Sequence, residues 1–164
     1  MLKDLENFTV YFETLAVGDR FRTAGRTVTE ADIASFAALS ADYNALHTDA
    51  EYARETPHGQ RIAHGLLVLS IASGLCSRLP LMTFMERTIL GLAGLECRWT
   101  RPTFIGDTIH VLLEIVGKEE SRKPDRGAVL MRRTAVNQRG ETVMESDWRL
   151  VLRRQPVPAA SPSS

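Results

Sequence analysis

The chain has 164 residues, 44% hydrophobic and 24% charged, which is enough apolar material for one folded core and too much for a disordered chain. Twenty basic residues balance twenty acidic ones, so no overall positive field draws it to nucleic acid or an anionic membrane. The two cysteines, Cys76 and Cys97, lie in apolar stretches outside any metal-ligand spacing and read as buried thiols in a reducing cytoplasm.

In chain order, Met1 to Glu6 is acidic and lacks the apolar core of a signal peptide. Residues 19–28 mix β-formers with charges and predict an edge-like strand. Thr29 reads as an N-cap, with acids at Glu30 and Asp32. Ile33, Phe36, Ala37 and Ser40 then follow at helical spacing, so a helix is predicted to about residue 40. Asp42 to Thr48 has no clean period and is predicted as an ordered loop. Asp49 to Glu55 predicts a short helix capped by Asp49, and Thr56 to Gln60 a turn. From Gly65 to about Leu79 the residues are apolar on most sides, which predicts a helix buried nearly all round and stopped by Pro80. The apolar stretch from Leu66 to Leu81 is too short and too polar to span a bilayer, because it carries Ser70, Ser73, Ser77 and Arg78.

Four strand-like segments follow, at 88–100, 107–118, 127–138 and 141–153. Ile109, Val111, Leu113 and Ile115 alternate, as do Met144, Trp148, Leu150 and Leu152 against charged neighbours, which is the half-buried antiparallel pattern. Asn137 to Gly140 supplies a hairpin turn. One buried helix followed by a meander of strands predicts an α+β fold, a curved antiparallel sheet wrapped around a central helix. Residues 1–154 read as one domain, and the Pro/Ser/Ala-rich run 155–164 as a flexible tail.

The chemistry concentrates near the first helix. Asp42 and His47 put a carboxylate and an imidazole five residues apart, a pair able to move protons to and from water. Spacing alone leaves open that Asp42 caps a turn and His47 is a loop residue. Gly65, opening the apolar helix, would point its N–H outward with the helix dipole behind it, a natural oxyanion site or simply a close-packed helix start. His64 reads as a structural histidine satisfied by backbone. Ser73 sits inside the helix and either bonds back to a carbonyl or reaches a neighbour such as Asp42. No Gly-x-Ser-x-Gly elbow and no glycine-rich phosphate loop is present. The basic turn Ser121 to Gly127 offers cations that a ligand phosphate could meet.

The runs Ala41 to Asp49, Arg61 to Leu67, Ser73 to Leu75 and Pro102 to Thr108 resemble the MaoC-like dehydratases, which include the (R)-specific enoyl-CoA hydratases. The similarity covers about Tyr11 to Arg153. It implies a hot-dog fold, a homodimer joined sheet edge to sheet edge, and reversible hydration of trans-2-enoyl-CoA to (3R)-3-hydroxyacyl-CoA. It further implies that Asp42 and His47 activate the water, that Gly65 binds the thioester oxygen, and that Asn44 and Ser73 support the pair. Neither metal nor redox cofactor is implied, and CoA enters as part of the substrate. The family pattern usually has proline where this chain has Ala45. A hot-dog acyl-CoA thioesterase and a non-catalytic acyl-CoA-binding subunit are the rival readings.

Overall fold

The computed structural model describes residues 8–156. The acidic N-terminus and most of the Pro/Ser/Ala-rich tail therefore lie outside the described residues; Gln155 is still tied down, its N–H donating to Glu13. Six strands form one antiparallel sheet: β1 (Arg20–Arg22), β2 (Arg26–Thr27), β3 (Ile89–Trp99), β4 (Thr108–Glu120), β5 (Arg126–Val136) and β6 (Thr142–Arg153). The order is β1-β4-β5-β6-β3, with β2 also paired to β4. The helices are α1 (Glu30–Ser40), α2 (Ala45–Thr48), α3 (Ala50–Arg54), α4 (Gly65–Ser77) and α5 (Pro80–Met85).

The alternation in the strands decides which face of the sheet is dry. Ile109, Val111, Leu113 and Ile115 of β4 are buried, as are Val129, Met131 and Ala135 of β5 and Met144, Leu150 and Leu152 of β6. This face packs on Leu67, Val68, Ile71, Ala72, Leu75 and Cys76 of α4 in one core cluster. Each Val, Leu, Ile or Met side chain among these contributes roughly 1.5–3 kcal/mol when taken out of water. A sheet wrapped on one long helix is the hot-dog arrangement that the resemblance implies. Arg133 also points into this interior, its guanidinium carbon 3.8 Å from the centre of the Trp148 ring. Burial pushes the neighbouring Cys76 thiol above its ordinary pKa, against a smaller downward pull from Arg133.

Several boundaries differ from the sequence reading, each for a local reason. The strand expected over 19–28 is two short strands, because the Thr23 hydroxyl accepts the Val111 N–H at 2.9 Å and interrupts the ladder. The loop expected over 42–48 contains α2, since Asn44 Oδ1 accepts the Leu46 N–H at 3.0 Å and starts a helical turn. Ala45 occupies the first position of that turn, where proline is equally at home, so the cap rather than ring stiffness holds it. Pro80 does follow the end of α4, but it also opens α5 from a first-turn position. The central helix is not covered all round: Leu66 is 58% exposed and Ser70 and Gly74 also face outward. Thr29 and Asp49 cap α1 and α3 as expected.

The segment that delivers the start of α4 is pinned to the stretch before β4. Ile62 bridges Phe104, and the Ala63 N–H donates to the Thr103 carbonyl at 2.8 Å. Asp107, 3% exposed, holds that stretch by accepting from the Phe104 N–H, Gln138 Nε2 and Arg139 Nη1 at 2.8–2.9 Å. Burial raises the Asp107 carboxyl pKa, but these hydrogen bonds and the Arg139 charge outweigh it and hold it below the ordinary value. A folded-state pKa below the unfolded one stabilises the fold above pH ~4 and loses that contribution as acid protonates the folded carboxylate. Asp107→Asn is expected to cost about 2 kcal/mol at pH 7, and the gap to wild type should shrink at pH ~3, as read by urea unfolding at both pH values.

Candidate active site

The site is built where α1 ends. Ala41 takes the left-handed conformation (φ 59°), the only non-glycine residue with positive φ among those described. For an L-residue this costs about 1–2 kcal/mol, and it turns the chain sharply out of the helix. The carbonyl of Asp42 then accepts a hydrogen bond from His64 Nε2–H at 2.9 Å. The Asp42 N–H reaches Ser40 Oγ at 3.2 Å, and its carboxylate accepts the Asn44 N–H at 3.3 Å. Asn44 thus ties the loop together twice, through its own N–H and as the cap of α2.

α2 carries His47 back toward the start of α4. His47 Nδ1 lies 2.8 Å from the Ile62 carbonyl. A carbonyl only accepts, so Nδ1 bears the proton, and in the neutral ring Nε2 keeps its lone pair. The His47 and His64 rings stack with centroids 3.9 Å apart and planes 32° apart. A carboxylate oxygen of Asp42 and a ring nitrogen from each histidine all lie within 4.8 Å of one another. No direct hydrogen bond joins the carboxylate to either ring among the described residues, and a spacing up to that limit admits a bridging water, since two hydrogen bonds of ~2.8 Å meeting at a tetrahedral oxygen span about 4.6 Å. It suits a metal ion poorly. Stacked rings whose planes are only 32° apart are a poor match to the tetrahedral spread of ligands that a zinc-like ion takes.

α4 starts without a side-chain cap. The N–H groups of Gly65, Leu66 and Leu67 meet no acceptor among the described residues, and the positive end of the helix dipole stands behind them. Gly65 is needed here for space. Trp99 lies across it, and a Cβ at residue 65 would stand 2.9 Å from the indole Cε2. Trp99 Nε1–H donates to the Gly65 carbonyl at 2.8 Å, locking the ring in place. A cavity of about 350 Å³ opens beside these groups, lined among others by His47, His58, Gly65, Val68, Trp99 and Arg101. The structure therefore brings Asp42, Asn44, His47 and Gly65 together as one neighbourhood.

Ser73 lies apart from Gly65. Ser73 stands roughly 12 Å along α4 from Gly65 and about 80° round the helix, and its hydroxyl has no hydrogen bond among the described residues. The basic turn 121–127 is also remote. The β3–β6–β5 register puts it at the Ile89 end of β3, ten residues or about 33 Å from Trp99. Sequence reasoning assigned His64 to a backbone contact, which the structure shows, but missed that the contact is to Asp42 and that the ring faces His47. Only its place beside the helix-opening glycine hinted at this.

Residues 12–137 match the family model of the MaoC like domain. The chain belongs to the MaoC-like dehydratase family. This MaoC-like chain is 38% identical over 125 residues to Protein MaoC of Klebsiella aerogenes, an alignment covering 74% of the chain and 34% of that protein. It thus spans about a third of the length of that relative. It is 30% identical over 140 residues to the (R)-specific enoyl-CoA hydratase of Rhodospirillum rubrum, covering 84% of this chain and 88% of that one. Among solved structures, a monoamine oxidase regulatory protein from Archaeoglobus fulgius superposes with a TM-score of 0.86 at 39% identity, covering 90% of this chain and 97% of that chain. A Mycobacterium tuberculosis protein described as having a double hotdogfold matches at a TM-score of 0.76 and 22% identity, covering 94% of this chain and 47% of that chain, which shows the fold. The relatives named for an activity are hydratases and dehydratases, and among the described residues no helix of the MaoC-like chain is long and apolar enough to cross a membrane.

The packing of Trp99 on Gly65 is directly testable. Gly65→Ala should destabilise the protein by about 1–3 kcal/mol through overpacking, and Trp99→Ala in that background should restore part of the loss, as read by denaturant midpoints of the single and double variants.

Proposed function

We propose that the chain adds water reversibly to a trans-2-enoyl-CoA thioester, forming the (3R)-3-hydroxyacyl-CoA. The observation that carries the reading is the water-sized gap between the Asp42 carboxylate and the His47 ring, in the neighbourhood of the uncapped α4 N-terminus. A water in that gap donates to the carboxylate and to His47 Nε2, whose lone pair faces away from the Ile62 bond. As its oxygen attacks the β-carbon, one O–H bond breaks and its proton passes to the pair. The π electrons move through the α-carbon to the thioester oxygen, and the enolate is stabilised by the Gly65 N–H and the helix dipole. The same proton is then delivered to the α-carbon, so atoms and charge balance with one water consumed. The chemistry calls on no metal or redox cofactor, and CoA enters only as part of the substrate.

Asn44 supports the pair by holding the loop, and Ser73, whose hydroxyl has no hydrogen bond among the described residues, is given no step. Arg101 and His58 line the same cavity as Gly65 and are better placed than the basic turn to meet a CoA phosphate. The (R) outcome follows the R-specific relatives. Residues 1–154 act as one catalytic domain in this reading, working as a homodimer. β3 supports the dimer: it is a free sheet edge and exposes Leu92, Leu95 and Trp99.

Two measurements test this. Asp42→Asn should keep the fold and lower kcat at least ~100-fold, followed as loss of enoyl absorbance with crotonyl-CoA. Near-wild-type turnover by that variant would remove Asp42 from the mechanism, and free thiol released by the wild type would favour a thioesterase. Light scattering should give twice the chain mass, and Leu95→Asp should shift the species toward the monomer.

A further inference from the structure

Resting on the reaction proposed above, we infer that His64 is a positioning residue, which fixes the Asp42 backbone and the His47 ring from a single buried place. His64 is 2% exposed, with His47 stacked on it at 3.9 Å and the Phe36 ring 5.0 Å away. It occupies the N-cap of α4, where Ser, Thr, Asp or Asn would bond the first helical amides, yet its side chain makes no such bond. Its Nδ1 is buried without a partner. A residue chosen for packing alone would carry no polar ring into so buried a place, so the ring is retained for what Nε2 does.

What Nε2–H does is hold the Asp42 carbonyl at 2.9 Å. The need for such a hold is local. Asp42 is exposed and follows the left-handed Ala41, and among the described residues its carboxylate is restrained only by the 3.3 Å contact from Asn44. Without the His64 donor, residues 41 and 42 can relax toward ordinary backbone angles and carry the carboxylate away from His47. The opposite ring position is set at the same time, because His47 is clamped between its Nδ1–H bond to Ile62 and the face of His64. Both sides of the water-sized gap are thus referenced to one side chain, itself out of reach of a substrate. Its loss should therefore appear in kcat and leave KM nearly unchanged.

The test compares two variants. In His64→Gln the side-chain amide replaces Nε2–H and can still donate to the Asp42 carbonyl; His64→Phe keeps a flat ring against His47 and removes the donor. His64→Phe is expected to lower kcat about 30-fold or more with KM changed less than about threefold, and His64→Gln to recover most of kcat. Wild-type kcat in His64→Phe, equal losses in both variants, or a loss carried by KM overturns the inference. A second measurement needs no variant: two-bond nitrogen–proton spectra of the wild-type imidazoles should show His64 protonated on Nε2 alone. Protonation on Nδ1 overturns it, even if neither variant folds. A wild type inactive on every enoyl-CoA would sink the hydration reading and leave the tautomer readable, whereas an active wild type with an unaffected His64→Phe would sink only the role given to His64.

Discussion

The start of α4 is an uncapped helix terminus held at the edge of a cavity, and the rest of the structure depends on that constraint. Three amide hydrogens without acceptors among the described residues, and the positive end of the dipole, make a place where negative charge is favoured. A helix end of this kind would ordinarily move until its amides were satisfied. Here the Ile62–Phe104 bridge, the Ala63–Thr103 hydrogen bond and the Asp107 cluster hold the incoming chain, while Trp99 clamps the Gly65 carbonyl from above. The sheet thus fixes the position of a terminus whose local hydrogen bonding is incomplete.

The acid and the base are referenced to the same place by different bonds. His47 is tied to residue 62 and Asp42 to residue 64, so both flank the entrance to α4 through contacts with the chain that leads into it. The strained Ala41 is what lets the chain leave α1 steeply enough to reach there. Strain at one residue is offset by a hydrogen bond from another more than twenty positions away, which makes the geometry a property of the fold and not of the local peptide.

That division explains what could be read from the sequence. Elements governed by near neighbours were legible: the Thr29 and Asp49 caps, the alternation of Ile109 to Ile115, and the apolar period of α4 all act within a few residues. Asp42, His47 and Gly65 were legible as candidates because their chemistry is in the residue type. The link between His64 and Asp42 was not, because a bond across 22 positions leaves no period. Where Ser73 stands was not legible either, because eight residues of helical rotation set it about 80° round from Gly65, a fact of phase that a motif does not display. The split of the first strand turned on one hydroxyl replacing a backbone partner, and propensity cannot see such a substitution.

The seating of Trp99 has a further consequence. The chain has only two tryptophans, and they occupy unlike surroundings. Trp99 borders the cavity and is bonded to the residue proposed to meet the substrate, whereas Trp148 is stacked on the Arg133 guanidinium and pairs in register with Leu95, four residues along β3. Occupancy of the cavity should change the indole emission through Trp99, with Trp148 adding a background that replacing it by phenylalanine would remove. The molecule therefore carries its own optical probe of occupancy, with no label attached.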